Sequence, residues 1–71
     1  MNLSQKLGAR IQKLRLEKGI SQEALAFDAG LHRTYISHVE RGSRNITVLG
    51  LVKIAKGLKV TPAEILEGLT K

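Results

Sequence analysis

Apolar residues recur at helical spacing along the chain, and short polar or glycine-containing segments separate the periodic stretches. Leu7, Ile11 and Leu14 repeat at i, i+4 and i+7, which predicts one apolar stripe on a helix from about Ser4 to Lys18. Alternation with a period of two residues is absent, so no strand is predicted. The pattern predicts an all-α fold, a compact domain of five helices.

Capping residues predict where three later helices begin. Ser21 and Thr47 carry hydroxyls that can accept hydrogen bonds from free N–H groups of helices over 22–29 and 48–58. The run Thr61-Pro62-Ala63-Glu64 is a capping box with proline at the first helical position, which predicts a fifth helix over 62–67. A remaining helix is predicted over 33–41. Glycines suited to ending helices follow the predicted helical stretches at Gly19, Gly30, Gly42, Gly57 and Gly68.

The helix over 33–41 has two sides of different chemistry. Ile36, Val39 and the Tyr35 ring form an apolar side, whereas the opposite side is polar and basic. That outer side comprises Arg33, Thr34, Ser37, His38 and Arg41. A helix of this kind is suited to packing on one side and binding a polar partner on the other.

A short turn, Gly30-Leu31-His32, separates this helix from the one before it. Two helices joined by so short a turn, the second with a polar outer face, are typical of a helix-turn-helix. Small residues such as Ala24 and Ala26 would let the two helices approach closely, with Leu25 and Ala29 buried beside them. Phe27 is expected at one edge of the packing.

Length and composition limit the classes of function. At 71 residues the chain predicts a single domain over 1–71 with a small core, and 42% apolar residues are ordinary for a folded protein. Cysteine is absent, and His32 and His38 are badly spaced for one helical face, so no metal site is predicted. No nucleophile–base pair or glycine-rich phosphate loop is present. We therefore expect no enzyme activity, no cofactor and no small-molecule ligand.

Charge and hydropathy predict the kind of partner. The formal net charge is +6, which favours a polyanion, with nucleic acid ahead of acidic lipid. No apolar run approaches the length of a membrane span, and the start lacks the apolar region of a signal peptide. We expect a cytoplasmic protein that does not enter membranes.

Three segments resemble the helix-turn-helix of the lambdoid phage repressor and Cro family. They are Ser21-Gln22-Glu23-Ala24-Leu25-Ala26, Gly30-Leu31-His32-Arg33-Thr34-Tyr35-Ile36-Ser37 and Val39-Glu40-Arg41-Gly42, and the likeness extends through Ile54-Ala55-Lys56-Gly57-Leu58. Within that family, His32-Arg33-Thr34-Tyr35-Ile36-Ser37 and Arg44-Asn45-Ile46-Thr47 are most similar to the controller proteins of restriction–modification systems. The resemblance implies a five-helix domain that binds palindromic double-stranded DNA as a homodimer.

The resemblance also implies roles for individual residues. Gln22 matches a glutamine that contacts a phosphate at the start of the second helix, where a helix N-terminus already favours an anion. Arg33 and Thr34 match the first base-facing positions of the recognition helix, and Ser37 and His38 match its next turn. A structural ion pair between the first and third helices is implied for Arg15 and Glu40.

Side-chain chemistry supports these assignments independently. Arg33 can donate to O6 and N7 of guanine, and Thr34 offers both a hydroxyl and a methyl group to bases. His38 can donate or accept, and His32 is equally suited to the turn and to DNA. The Tyr35 ring fits either a phosphate contact or the rim of the core.

Residues just beyond the third helix are expected to meet the DNA backbone. They are Arg41, Arg44 and Asn45. Arg44 is also suited to a narrow minor groove.

The fourth helix suggests how two copies associate. Val48, Leu51, Ile54, Ala55 and Leu58 fit an inward stripe. Apolar residues are then left over for a dimer interface: Leu49, Val52 and Leu69. Gly50 is unexpected early in a helix, and either permits a close approach across the dimer or merely weakens the first turn.

The favoured function is a dimeric, sequence-specific transcriptional regulator that controls restriction–modification genes and blocks or assists RNA polymerase at an operator. An antitoxin-like or phage-type regulator that acts mainly through a protein partner is the alternative. A non-specific nucleoid or RNA-binding protein is a third possibility, which the donor-rich face of the third helix disfavours. RNA polymerase is a further candidate partner.

Overall fold

The computed structural model describes residues 1–69. This range contains five α-helices and no β-strand. They are α1 Leu3–Glu17, α2 Gln22–Ala29, α3 Arg33–Glu40, α4 Val48–Leu58 and α5 Pro62–Glu67. The predicted all-α fold with a helix-turn-helix at α2 and α3 is confirmed. No helix in the described range is long and apolar enough to cross a membrane.

The ends of α1 and α3 differ by one residue from the prediction. The helix α1 begins at Leu3 because Asn2, not a later residue, caps it. The Asn2 side chain accepts from the Gln5 N–H at 2.8 Å, and the Gln5 side chain accepts from the Asn2 N–H at 3.0 Å. Arg41 is the C-cap of α3 rather than its last helical residue.

The predicted starts of α2, α4 and α5 are confirmed by their hydrogen bonds. The Ser21 hydroxyl accepts from the Ala24 N–H at 3.0 Å, and the Thr47 hydroxyl accepts from the Gly50 N–H at 2.9 Å. At α5, the Thr61 hydroxyl accepts from the Glu64 N–H at 3.1 Å, and the Glu64 carboxylate accepts from the Thr61 N–H at 3.3 Å.

Of the five glycines predicted to end helices, Gly57 has another role. Gly57 lies inside α4, and the residue with positive φ that follows this helix is Lys59. A Cβ at Gly57 would lie 2.9 Å from a methyl group of Leu25, so this glycine permits α4 to pack closely on α2. Gly68 ends α5 as predicted, as its C-cap, but with a negative φ. It lies beneath the Arg10 side chain, which donates to the Glu64 carbonyl at 3.0 Å.

The core lies between the helices and draws on all five of them. Its fully buried large side chains are Ile11, Leu25, Ile36, Val39, Ile54, Leu58 and Ile65. The predicted stripe of α1 is confirmed, since Leu7 and Ile11 are buried and Leu14 packs against the core. This packing fixes α3 against α1 and α2 and leaves its other side exposed.

Three packing predictions are wrong. Val48 was expected inside but is 81% exposed, because α4 begins outside the core and its packing starts at Gly50 and Leu51. Phe27 is exposed rather than packed at an edge, because other residues of α2 occupy its inward side. Ala24 is also exposed, so Ala26 alone of the two alanines lies between helices.

A close crossing of α1 and α3 depends on Gly8. A Cβ at this position would overlap the Val39 carbonyl oxygen and would lie 2.7 Å from the Glu40 carbonyl oxygen. Because both neighbours are backbone atoms, a larger residue could be accommodated only by moving one helix. Gly8 therefore sets the position of α3 relative to α1.

Candidate nucleic-acid interface

A buried ion pair joins α1 to α3. Arg15 Nε lies 2.7 Å from Glu40 Oε2, and Arg15 Nη2 donates to Glu40 Oε1 at 3.0 Å. The side chains are 9% and 1% exposed, and Arg15 Nη1 also donates to the Ile20 carbonyl at 2.8 Å. The pair implied by the resemblance is present, and its two parallel hydrogen bonds fix the rotation of α3.

The first residue of α2 also contacts this pair. Gln22 Nε2 donates to Glu40 Oε1 at 3.0 Å, and the Gln22 side chain is half-buried. The side-chain amide of Gln22, which is expected to contact a phosphate, is thus oriented by its hydrogen bond to the buried Glu40. Because Gln22 is the first residue of α2, it stays beside that helix's free N–H groups, where an anion is favoured.

Side chains on the outer side of α3 are more exposed in the first turn than in the second. Arg33 and Thr34, at its start, are exposed, whereas Ser37 and His38 are half-buried. His32 occupies the N-cap position, but its side chain makes no capping hydrogen bond. The residues predicted to contact bases therefore share one side, and the first turn offers the most accessible donors.

The end of α3 is tied to the following loop. His38 Nδ1 lies 3.2 Å from the Ser43 hydroxyl, and Arg41 Nη2 approaches the same ring nitrogen at 3.4 Å. The Ser43 hydroxyl also lies 3.2 Å from the His38 carbonyl oxygen. These contacts give His38 a part in ordering the loop, which sequence reasoning missed because Ser43 carried no recognisable signal.

Asn45 is held by the start of α1. The Ser4 hydroxyl donates to Asn45 Oδ1 at 2.6 Å, although the two residues are far apart in sequence. The Asn45 side chain remains exposed, so its amide nitrogen can still donate to DNA. This link brings the loop and the N-terminus of α1 to one side of the molecule.

Tyr35 lies inside this region with its hydroxyl against α4. The Thr47 N–H donates to the Tyr35 hydroxyl at 3.5 Å, and the hydroxyl occupies the space where a Cβ of Gly50 would lie. The guanidinium of Arg44 lies over the Tyr35 ring, 5.2 Å from its centroid. The ring packs at the rim of the core, as one of its two predictions had it, and the phosphate contact stays a prediction.

The charge of this region is positive because its acidic group is buried. Glu40 is the sole acidic residue in the segment 31–46, and its carboxylate is paired with Arg15. The basic residues of the segment, Arg33, Arg41 and Arg44, are all exposed. The surface formed by α3 and the following loop is therefore cationic, as a polyanion requires.

The start of α4 presents an apolar surface. Leu49 is 63% exposed and Val52 is 48% exposed, and Val48 lies beside them. We call these three residues the α4 apolar surface. Leu69 was predicted to join such an interface, but it is half-buried and packs against the core.

Comparisons with known proteins agree with this architecture. A helix-turn-helix family profile matches residues 11–65. Control protein C.BamHI of Bacillus amyloliquefaciens is 44% identical over 70 residues, which cover 97% of this chain and 86% of that protein. The chain belongs to the helix-turn-helix family of restriction–modification controller proteins.

Solved structures of controller proteins are similar in fold as well as in sequence. C.AhdI from Aeromonas hydrophila is 45% identical with a TM-score of 0.85, over 87% of this chain and 94% of its own. Wild-type C.Esp1396I is 47% identical with a TM-score of 0.90, over 99% and 90% of the respective chains. These relatives are regulators rather than enzymes, which agrees with the expected absence of catalysis.

Proposed function

We propose that this controller-family protein is a sequence-specific transcriptional regulator that binds a palindromic operator as a homodimer. The observation that carries the proposal is the exposed, cationic outer side of α3 on a helix whose inner side is fixed by the Arg15–Glu40 pair. Its relatives are named as controllers of restriction–modification systems, and we propose that this chain regulates such genes.

The start of α3 is proposed to read base edges in the major groove. Arg33 would donate to O6 and N7 of guanine, a pairing worth about 1–3 kcal/mol of discrimination. Thr34 would contact a neighbouring base through its hydroxyl or methyl group. Ser37 and His38 are proposed to contribute less, because they are half-buried.

The DNA backbone is proposed to pass over the start of α2 and the loop after α3. Gln22 would bind a phosphate at the helix N-terminus, while its contact with Glu40 sets its direction. Arg41 and Asn45 would bind phosphates beyond α3, and Arg44 would bind the backbone or a narrow minor groove. Such contacts position the protein, whereas the base contacts select the sequence.

Dimerisation is proposed to occur through the α4 apolar surface. Pairing about a two-fold axis would bury Leu49 and Val52 against the same residues of a second copy. Leu69 would contribute only the part that the core leaves exposed. Two copies of α3 would then lie about 34 Å apart, one turn of DNA.

Regulation would follow from concentration. Because DNA binding favours the dimer, operator occupancy would rise steeply as the protein accumulates. RNA polymerase is the proposed downstream partner, blocked or recruited at a promoter that contains the operator.

Selection of binding sites from a random duplex pool tests the function. Purified protein at near-physiological salt should enrich a symmetric sequence with half-sites about one turn apart. Arg33→Ala should relax one base position in each half-site. Lys18→Ala, which removes the same charge at the C-cap of α1, should leave the enriched sequence unchanged.

Two results would contradict the proposal. If no sequence enriches, the protein does not read DNA specifically, and the antitoxin-like role through a protein partner becomes the better explanation. If Arg33→Ala and Lys18→Ala weaken binding equally for every duplex, the binding is non-specific and driven by counterion release.

A further inference from the structure

Gly50 leaves a space in the first turn of α4 that the Tyr35 hydroxyl occupies. A Cβ at this position would overlap that hydroxyl and would lie 3.2 Å from Tyr35 Cζ and 3.1 Å from the Thr47 hydroxyl. Glycine weakens a helix relative to alanine, yet Gly50 is buried inside one. The glycine thus accommodates a neighbouring side chain within the same chain, and a close approach between dimer partners is unnecessary to account for it.

The Tyr35 ring, whose hydroxyl fills this space, lies beneath an exposed arginine. Arg44 lies over the Tyr35 ring at 5.2 Å, and the same two residues help to line a shallow surface pocket beside the start of α3. An aromatic face attracts a guanidinium and restricts its orientation. The Thr47 N–H donates to the Tyr35 hydroxyl, so the ring also contacts the junction between the loop and α4.

We propose that Tyr35 is a positioning residue for DNA binding, and that Gly50 sets its position. The ring, seated against Gly50, holds Arg44 and the loop after α3 in the orientation that meets DNA. This inference rests on the proposed function, because it assigns how one DNA-contacting residue of that function is oriented. It differs from the sequence expectation that the Tyr35 hydroxyl itself binds a phosphate.

Tyrosine fluorescence tests the seating of the ring without DNA. Tyr35 is the only tyrosine and tryptophan is absent, so the intrinsic emission reports on this ring alone. Gly50→Ala should displace the ring and increase its quenching by acrylamide. Gly57→Ala is the matched control, because it makes the same change in the same helix against Leu25 rather than Tyr35. It should leave the quenching unchanged in the folded protein.

DNA binding tests the connection to Arg44. The probe is the duplex enriched by wild-type protein, with a scrambled duplex for comparison. Gly50→Ala should weaken binding to the enriched duplex by roughly tenfold, the size of one lost groove contact. In an Arg44→Ala background, Gly50→Ala should change the affinity for the enriched duplex less than twofold, because the contact between Arg44 and DNA is already missing.

A conservative substitution separates positioning from a direct phosphate contact. Tyr35→Phe keeps the ring beneath Arg44 and removes the hydroxyl, so it should retain binding within about threefold. It should also rescue Gly50→Ala, since the overlapping oxygen is gone. If Gly50→Ala does not fold alone, the same rescue is measured by thermal denaturation, and an absence of rescue would overturn the proposal.

The outcomes distinguish this inference from the proposed function. If the wild-type protein enriches no duplex, the proposed function fails, and with it the positioning role. If it enriches one, but Gly50→Ala changes neither quenching nor affinity, the positioning role alone fails. A tenfold loss for Tyr35→Phe would also overturn it, because the hydroxyl would then bind DNA directly.

Discussion

The helices α3 and α4 each bury one side in the same core, but their exposed sides differ in chemistry. The outer side of α3 carries Arg33 and Thr34, whereas the exposed residues at the start of α4 are Val48, Leu49 and Val52. Burial explains both inner sides equally well. The two helices differ on their outer sides, which we propose bind two different partners.

The contrast extends to how each helix is held. The inner side of α3 contains a buried carboxylate, Glu40, whose charge is compensated by Arg15 and which accepts a further bond from Gln22. The inner side of α4 is apolar and includes Ile54 and Leu58. Directional bonds fix the rotation of α3, whereas Ile54 and Leu58 hold α4 by packing alone.

Of the changes proposed for these two helices, removing the buried carboxylate of Glu40 should have the largest effect, a loss of stability. Glu40→Ala leaves the Arg15 charge buried without its partner, which costs about 3–5 kcal/mol. A domain of this size has a total stability of only about 4–10 kcal/mol, so the melting temperature should fall sharply. Thermal denaturation followed by circular dichroism measures it. Glu17→Ala, at an exposed site, is the control, and an equal melting temperature for both variants would refute the structural role of the pair.

A charge on the α4 apolar surface should separate the two copies without unfolding either. Leu49→Asp places an unpaired carboxylate in the proposed interface, and the dissociation constant of the dimer should rise at least about a hundredfold. Analytical ultracentrifugation measures this change. Leu16→Asp, at a similarly exposed leucine of α1, should leave the dimer intact. A wild-type monomer at micromolar concentration, unaffected by Leu49→Asp, would eliminate the proposed interface.

A subtler change on α3 should affect DNA binding alone. Thr34→Val keeps the shape and a methyl group but removes the hydroxyl, so a base contact through that hydroxyl would lose about 1 kcal/mol, or roughly fivefold in affinity. Titration of the enriched duplex, followed by fluorescence anisotropy, measures the loss. Unchanged affinity would mean that Thr34 acts through its methyl group or not at all.

The smallest effect is expected at His38. Its Nδ1 lies beside the Ser43 hydroxyl and Arg41, and the side chain is half-buried. His38→Ala should therefore reduce affinity by about 0.5 kcal/mol, less than Thr34→Val, mostly by loosening the loop. Ser43→Ala should have a similar effect. A tenfold loss for His38→Ala alone would mean that His38 is a principal base contact rather than the minor one proposed.

Local signals in the sequence were sufficient for most of the fold. Ser21, Thr47 and Thr61 each cap a helix where their residue types predict it, because a cap depends only on a few neighbouring backbone groups. The start of α1 lies one residue before the predicted Ser4, because periodicity does not locate a helix end and the capping box of Asn2 and Gln5 went unnoticed.

Contacts between helices that are far apart in sequence could not be predicted from local patterns. Gly8 and Gly50 resemble helix-weakening residues until the Val39 carbonyl and the Tyr35 hydroxyl are placed beside them. Val48 fits an inward stripe by period alone, but periodicity does not say how far a helix extends past the core. The Arg15–Glu40 pair was expected through family resemblance, and nothing in the spacing of those residues would have indicated it.

We propose that the outer side of α3 binds DNA and that of α4 binds a second copy of the chain. Amide chemical shifts of the ¹⁵N-labelled protein test it in one sample series, first on dilution and then on addition of the enriched duplex. Dilution should shift signals around Leu49 and Val52 and leave the start of α3 unchanged. The duplex should then shift signals around Arg33, Thr34 and Arg44. Duplex-induced shifts confined to α4, or dilution shifts confined to α3, would contradict this division of partners between the two helices.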